Sequence, residues 1–188
     1  MKRILKKIYA KHGTYLSTDA SKFHNPSLAT YGEFTENGTN SLINEFKNYF
    51  NSDTIFYDLG SGMGKMVLHI GMQCGVKKSI GIEFCDKRHQ VAVDLQEKYA
   101  SNYNNIYFYN KDMFKQNISD ATVVYVDNTV LNIKENIKIY NKIPSGCLFL
   151  TKSTSWSFSH KSQPKFNRIE NLVERSYKQS VLNWLIKE

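Results

Sequence analysis

No apolar run in this chain approaches the roughly 18–20 residues needed to cross a bilayer as a helix, so the 188 residues carry no membrane-spanning signal. Cysteine is scarce and odd in number. Cys74, Cys85 and Cys147 stand far apart, a spacing that fits neither a zinc site nor a disulfide framework. Free, buried thiols in a reducing compartment are expected, with an intracellular location and no metal. Proline (3) and glycine (10) are too few for a linker built from them, and neither repeats nor low-complexity tracts occur. The N-terminus, Met1 to Lys11, is basic but no continuous apolar core follows it, so no signal peptide is expected. Arginine is nearly missing, with four against 21 lysines.

What remains suits one soluble domain. The length allows a sizeable core but not a second full domain. Hydrophobic residues at 41 % and aromatics at 13 % argue against disorder. The net charge of +8 raises the local concentration of anionic partners, nucleic acid first among them. A Lys/Asn/Ile/Tyr-heavy composition is also what an AT-rich genome produces, so part of that charge has a second explanation.

Residues 1–30 read as a basic lead-in, in which Ile4, Leu5 and Ile8 line one side of a short helix and Lys2, Lys6, Lys7 and Lys11 face outward. Residues 31–188 read as a single domain. Glu36–Phe50 has helical spacing of Leu42, Ile43, Phe46 and Phe50. Strands are expected at Thr54–Leu59, Lys78–Glu83, Asn105–Tyr109, Thr122–Asp127 and Cys147–Thr151. Helices are expected at Gly64–Cys74, Asp86–Tyr103 and Ile133–Lys142. This βαβαβ rhythm implies a parallel sheet covered by helices. Two further strands from Asn167 would form an antiparallel pair at one edge.

The sharpest motif is Tyr57-Asp58-Leu59-Gly60-Ser61-Gly62-Met63-Gly64-Lys65, where a strand should hand over to a helix. Glycines there permit a tight turn and close approach of a ligand to the backbone, and the next helix offers unpaired N–H groups. Glu83, ending the next strand, is placed to accept hydrogen bonds from both hydroxyls of a ribose. The dinucleotide fingerprint needs glycine where Lys65 stands. The spacing Gly60-x-Gly62-x-Gly64 after Asp58 instead resembles the cofactor motif of Rossmann-like methyltransferases. That resemblance implies S-adenosylmethionine, with Asp58 facing its amino-acid end. It also implies an α/β fold of the class I methyltransferase kind: a mostly parallel seven-stranded sheet with an antiparallel edge hairpin. Asp112, after strand three, would then lie near the adenine, and Met113 and Phe84 would also bind the cofactor. Asp127 and Asn128, after strand four, would lie near the transferable methyl group.

Tyr31-Gly32-Glu33-Phe34-Thr35, in order and spacing with these motifs, is similar to the disruptor-of-telomeric-silencing type of histone lysine methyltransferase, which lacks a SET domain. Lys111-Asp112-Met113 looks like that family's Gly-Asp-Phe, and Val123–Asn128 like its Val-Ile-Phe-Val-Asn-Asn. The resemblance covers residues 26–150 well and the last 35 loosely. It implies that Tyr31 to Thr35 fold over the cofactor, beside Asp58, Leu59, Gly60, Ser61, Gly62, Gly64 and Lys65. It also implies a lysine channel, for which Phe34, Tyr177 and Trp184 are the candidates, with Asp127 or Asn128 aligning the amine. The target implied is a lysine in the core of a histone, on a nucleosome and hence in the nucleus.

Departures accompany the likeness. Asp127 replaces the family's first asparagine, and only about thirty residues precede Tyr31, where family members carry a larger helical region. Basic patches at Lys2–Lys11 and Lys152–Arg168, the second with Trp156, Phe158 and His160, would grip DNA phosphates. A solvated lysine-rich surface is the plainer alternative. A monomer is expected. The Asp/Asn-Pro-Pro-aromatic motif of adenine methyltransferases is missing, as is a paired-glutamate loop of the arginine methyltransferase kind. A methyltransferase acting on another protein, an RNA or a small molecule stays open, as does a silent cofactor- or nucleic-acid-binding module.

Overall fold

A computed structural model describes residues 1–10, 32–159, 161, 163–174 and 179–188. Seven strands form one sheet: β1 (Ile55–Leu59), β2 (Lys78–Glu83), β3 (Ile106–Asn110), β4 (Val123–Val126), β5 (Leu148–Thr151), β6 (Asn167–Glu174) and β7 (Gln179–Ile186). Their spatial order is β3-β2-β1-β4-β5-β7-β6. The first five run parallel, while β7 is antiparallel to both β5 and β6. The expected sheet with its edge hairpin is what forms. β1 and β4 are buried along their length and apolar but for Asp58, the pattern of parallel strands covered on both faces. The chain reverses its direction of winding between β1 and β4, which opens a crevice at their carboxyl ends.

Among the described residues five α-helices flank the sheet: α1 (Lys2–Ile8), α2 (Glu36–Glu45), α3 (Lys65–Gln73), α4 (Asp86–Tyr99) and α5 (Ile133–Lys142). One face is filled by Leu5, Ile8, Leu42, Phe46, Val67, Leu68, Ile70 and Leu95 from α1 to α4 and their flanks. The other is filled by Ile139 and Tyr140 of α5 with Phe149, Trp156 and Phe114. Among the described residues no helix is long and apolar enough to cross a membrane. Cys85 and Cys147 are buried and Cys74 half-buried, all as free thiols. Burial pushes Cys74 up to about 11 and Cys147 up to about 12, so both stay protonated and inert.

Two helix ends differ from the periodicity, and the N-terminus packs more closely than expected. The helix expected over Glu36–Phe50 ends at Glu45. Phe46 leaves helical angles, and a 3-10 turn at Lys47–Tyr49 follows, which sends both Phe46 and Phe50 into the core. The long helix stops at Tyr99, where Ala100 turns inward. The first ten residues are no mere lead-in: Leu5 and Ile8 belong to the same core as the sheet, while Lys2, Lys6 and Lys7 are exposed as expected. Residues 11–30 lie outside the described residues.

A polar stripe runs along α3 through otherwise apolar surroundings. Lys65, His69 and Gln73 are spaced i, i+4, i+8 and so share a face. His69 is wholly buried. Its Nδ1 lies 3.1 Å from the Tyr9 hydroxyl and its Nε2 2.9 Å from Gln73 Oε1, while Tyr9 donates to Thr39 Oγ1 on α2 at 2.7 Å. Burial lowers the His69 pKa from 6.5 to about 4, against the opposing effect of the Gln73 bond. The unfolded chain therefore takes up a proton near pH 6.5, whereas the folded chain refuses it until about pH 4. Stability is intact above pH 6.5 and should fall between 6.5 and 4, by about 3 kcal/mol at the low end from this group. Urea midpoints measured across that window should decline in the parent chain. They should decline less in His69→Gln.

Candidate functional site

β1 delivers the chain into a bend made of left-handed residues. Gly60, Gly62 and Gly64 have φ of +86°, +56° and +72°, conformations that disfavour any residue with a Cβ, which explains the alternate-glycine spacing. The N–H groups of Gly60 and Ser61 donate to Ile82 O of β2 at 2.8 and 3.0 Å, and Gly64 N–H donates to Ser61 O at 2.9 Å. A Cβ on Gly64 would lie 2.5 Å from the Phe108 ring, so the start of α3 packs directly against β3. A Cβ on Gly60 would meet nothing within 4 Å: that backbone faces open space.

Glu83 closes the bend from the neighbouring strand. Its Oε2 accepts from Gly62 N–H and its Oε1 from Cys85 N–H, both at 2.8 Å, and the residue is 5 % exposed. The bend and the carboxylate meet, as expected. The acid grips the loop itself rather than standing open on the rim, and each oxygen keeps a second lone pair.

The cleft beside this bend holds about 400 Å³ of empty space, open solvent at its mouth included. Asp58, Gly60, Ser61 and Gly62 form its floor, and Lys65 and Met66 of α3 one side. Gly32, Glu33 and Phe34 form a wall, and Tyr125 and Asp127 the β4 end. Phe34 meets Tyr125 edge-on, with ring centroids 5.3 Å apart. Lys65 Nζ pairs with Glu33 Oε1 at 2.6 Å. Ser61 Oγ is shielded from solvent and has no hydrogen-bond partner among the described residues. Among the residues singled out in the sequence, nine come together here. Tyr125 and Met66 also line the cleft without having been singled out. Alternation along β4 places Tyr125 in the core face that also holds Phe34, and that alternation was the available signal.

Other candidates have structural work. Asn128 is 1 % exposed and commits all four of its hydrogen-bonding positions. Its Nδ2 donates to Asn136 Oδ1 at 2.6 Å and Ser153 O at 2.7 Å, and its Oδ1 accepts from Lys152 and Ser153 N–H at 3.2 and 2.7 Å. It clasps β4, α5 and the end of β5, with nothing left to align an amine. Trp184 stacks edge-on against Phe46, 5.6 Å away, and is no cleft residue. Its strand pairing opposite Leu150 holds it over the helical core. Thr35 caps α2 by accepting from Gly38 N–H at 3.0 Å.

Asp112 caps its own turn, accepting from Phe114 N–H at 2.8 Å, and Met113 packs towards the core under α5. Leu59 is core on the far face, so only its backbone adjoins the bend. Phe84 is largely exposed beside Glu83. Asp127 accepts from the Thr129 hydroxyl at 2.6 Å while lining the cleft. In the second basic patch Trp156 is core, packed on Tyr140 and Phe166, whereas Phe158 is 81 % exposed. Tyr31, Tyr177 and His160 lie outside the described residues.

Residues 16–181 match the family described as "Histone methylation protein DOT1". The chain belongs to that family. It is similar to a histone-lysine N-methyltransferase, H3 lysine-79 specific, of Caenorhabditis elegans, 26 % identical over 176 residues that cover 82 % of this chain and 18 % of the nematode protein. It is also similar to a protein-lysine N-methyltransferase of Saccharolobus islandicus, 33 % identical over 86 residues, 46 % of this chain and 52 % of that one. The chain thus spans less than a fifth of the first relative and about half of the second. Among solved structures it resembles an RNA methyltransferase of Salinibacter ruber crystallised with S-adenosyl-L-homocysteine, with a TM-score of 0.65 and 19 % identity over 83 % of this chain and 94 % of that one. A precorrin-6y C5,15-methyltransferase of Geobacter metallireducens gives a TM-score of 0.58 at 10 % identity over 93 % and 99 %. At such identities the likeness establishes the Rossmann-like methyltransferase fold.

The two neighbouring residues after β4 separate cleanly by experiment. Asn128→Ala should lose about 2–4 kcal/mol of stability, because it orphans polar partners on two segments, α5 and the end of β5. Asp127→Asn, on the cleft surface, should change stability by no more than about 0.5 kcal/mol. Urea denaturation of both variants reads the difference.

Proposed function

We propose that the cleft binds S-adenosylmethionine and that the chain is a histone-lysine methyltransferase acting on a lysine in the core of a nucleosomal histone. The observation that carries this reading is the junction of the glycine bend and Asp58 with the Glu33–Phe34 wall over the end of β4. The residues present fit the cofactor. Gly60 faces space that a side chain would fill, Ser61 Oγ has a hydrogen bond to give or accept, and Asp58 supplies an acceptor for an ammonium. Asp58, Ser61 and Gly62 would hold the amino-acid and ribose end, with Glu83 bracing the loop. When bound, S-adenosylmethionine supplies a sulfonium methyl group to a nucleophile in an in-line displacement, so positioning contributes most of the rate.

The chain's own residues do the rest. Phe34 and Tyr125 present an apolar wall that excludes water. Such a surface disfavours the charged form of an incoming lysine and lowers its pKa, which removes the need for a strong general base. Asp127, at the mouth, offers a carboxylate that holds and orients an ammonium before it loses its proton. Exposed lysines of α1, together with Lys161, Lys165 and Arg168, would meet DNA phosphates, and a chromatin location in the nucleus follows from that target. The histone H3 specificity of the nematode relative supports the histone target. The archaeal relative, named only as a protein-lysine methyltransferase, favours a second reading in which the lysine belongs to another protein.

Gly62 has positive φ, and its N–H is held by Glu83, so Gly62→Arg both strains the bend and fills it. Calorimetry with S-adenosylhomocysteine should detect binding to the parent chain and none to this variant, with the circular dichroism of the two alike. Radiolabelled methyl transfer should then favour nucleosomes over free histones, other proteins and RNA. Transfer to RNA alone would overturn the protein-lysine reading, and binding without any turnover would point to a silent module. Nucleosome affinity should drop by orders of magnitude from low to moderate salt.

A further inference from the structure

Lys65 is the first residue of α3, and its placement is costly twice over. A cation in the first turn opposes the helix dipole, and an ammonium 4 % exposed has lost its hydration. Two partners offset that cost. Glu33 Oε1 accepts from Nζ at 2.6 Å and the backbone carbonyl of Ala10 at 3.3 Å. One ammonium therefore ties together the glycine bend, the wall of the cleft and the chain just beyond α1. The same face of α3 repeats the theme four residues on, where His69 lies against Tyr9, itself bonded to Thr39 of α2. Four residues further, Gln73 reaches Asn40 at 3.5 Å.

Each step of the stripe joins α3 to what precedes β1 in sequence. Apolar packing alone would hold α1 and α2 on the core, as Leu5, Ile8 and Leu42 do. It would not fix the distance between Glu33 and the bend.

We infer that Lys65 is a positioning residue: a buried latch that holds the Gly32–Phe34 wall of the cleft, and the segment ending at Ala10, against the start of α3. Phe34, which meets Tyr125 on the apolar side of the cleft, is positioned in part through its neighbour Glu33. The effect on ligand affinity rests on the cofactor proposed above, whereas the latch itself does not.

Hydrogen exchange on the ligand-free full chain tests the latch directly. Lys65→Met keeps most of the bulk and removes the charge, and Glu33→Gln keeps the shape of the acceptor. In both, the amides of residues 32–35 should exchange roughly tenfold faster, the equivalent of about 1.4 kcal/mol, while β1 and β4 stay protected as in the parent. Affinity for S-adenosylhomocysteine should fall by a similar factor, and Lys65→Arg should restore most of both. Unchanged exchange at residues 32–35 in a folded Lys65→Met overturns the latch. So does acceleration spread evenly over β1 and β4, which would make Lys65 a general stabiliser. If Lys65→Met does not fold, Glu33→Gln decides by the same two criteria. A parent chain that fails to bind S-adenosylhomocysteine sinks the cofactor reading and leaves the exchange comparison intact.

Discussion

The structure depends on a carboxylate reaching across one strand to hold a bend. β1 cannot turn into α3 within five residues unless Gly60, Gly62 and Gly64 adopt left-handed angles, and such a loop has little packing of its own to keep it in place. Glu83 supplies the restraint by accepting from Gly62 N–H, while its other oxygen takes Cys85 N–H at the start of α4. The two βα junctions of the first two strands are thereby locked to one side chain. Glycine at position 81 belongs to the same arrangement, since a Cβ there would lie 2.7 Å from Ser61 Oγ. Because the winding of the sheet reverses beside this point, everything that the crevice can bind is set against a loop that Glu83 keeps rigid.

Much of this was legible in the residues. The parallel strands could be read because buried parallel sheets are written as short apolar runs, and the bend because three alternate glycines have few other uses. The Glu33–Phe34 wall was legible only by resemblance: nothing in its own composition distinguishes it from a turn before a helix. Where the reading failed, it failed on side-chain direction. Asn128 and Asp127 are adjacent, so in an extended chain they point to opposite sides. One reaches the cleft and the other turns into a clasp of four hydrogen bonds. Trp184 sits on the correct strand but opposite Leu150, over Phe46. An aromatic residue near a motif looks the same in sequence whichever way it faces.

The polar stripe of α3 was illegible for a related reason. In Lys65–Gln73 the apolar residues surround Lys65 and His69 so completely that the segment reads as a buried helix with a cation at its start and a histidine in passing. Only the partners, 32 and 60 residues away in sequence for Glu33 and Tyr9, make these two side chains intelligible. Buried polar groups need partners, so an ionisable residue inside an otherwise apolar helix is itself a question that the tertiary fold must answer.

The cleft also resolves an apparent conflict of charge. The chain carries a net +8, yet the proposed ligand is a sulfonium cation and the proposed substrate a lysine. Glu33, Asp58 and Asp127 all line the cleft, against Lys65 alone, and Lys65 is committed to Glu33. The interior of the site is therefore acidic inside a basic exterior. On the proposed reading, DNA would be drawn to the outer surface, where exposed lysines would meet phosphate, while the acidic lining of the cleft favours cations. Asp127 at the mouth lies between the two regimes. If the proposed substrate is right, an ammonium leaving the anionic surroundings of a nucleosome would meet Asp127 in the acidic lining, and the Phe34–Tyr125 wall would strip its water.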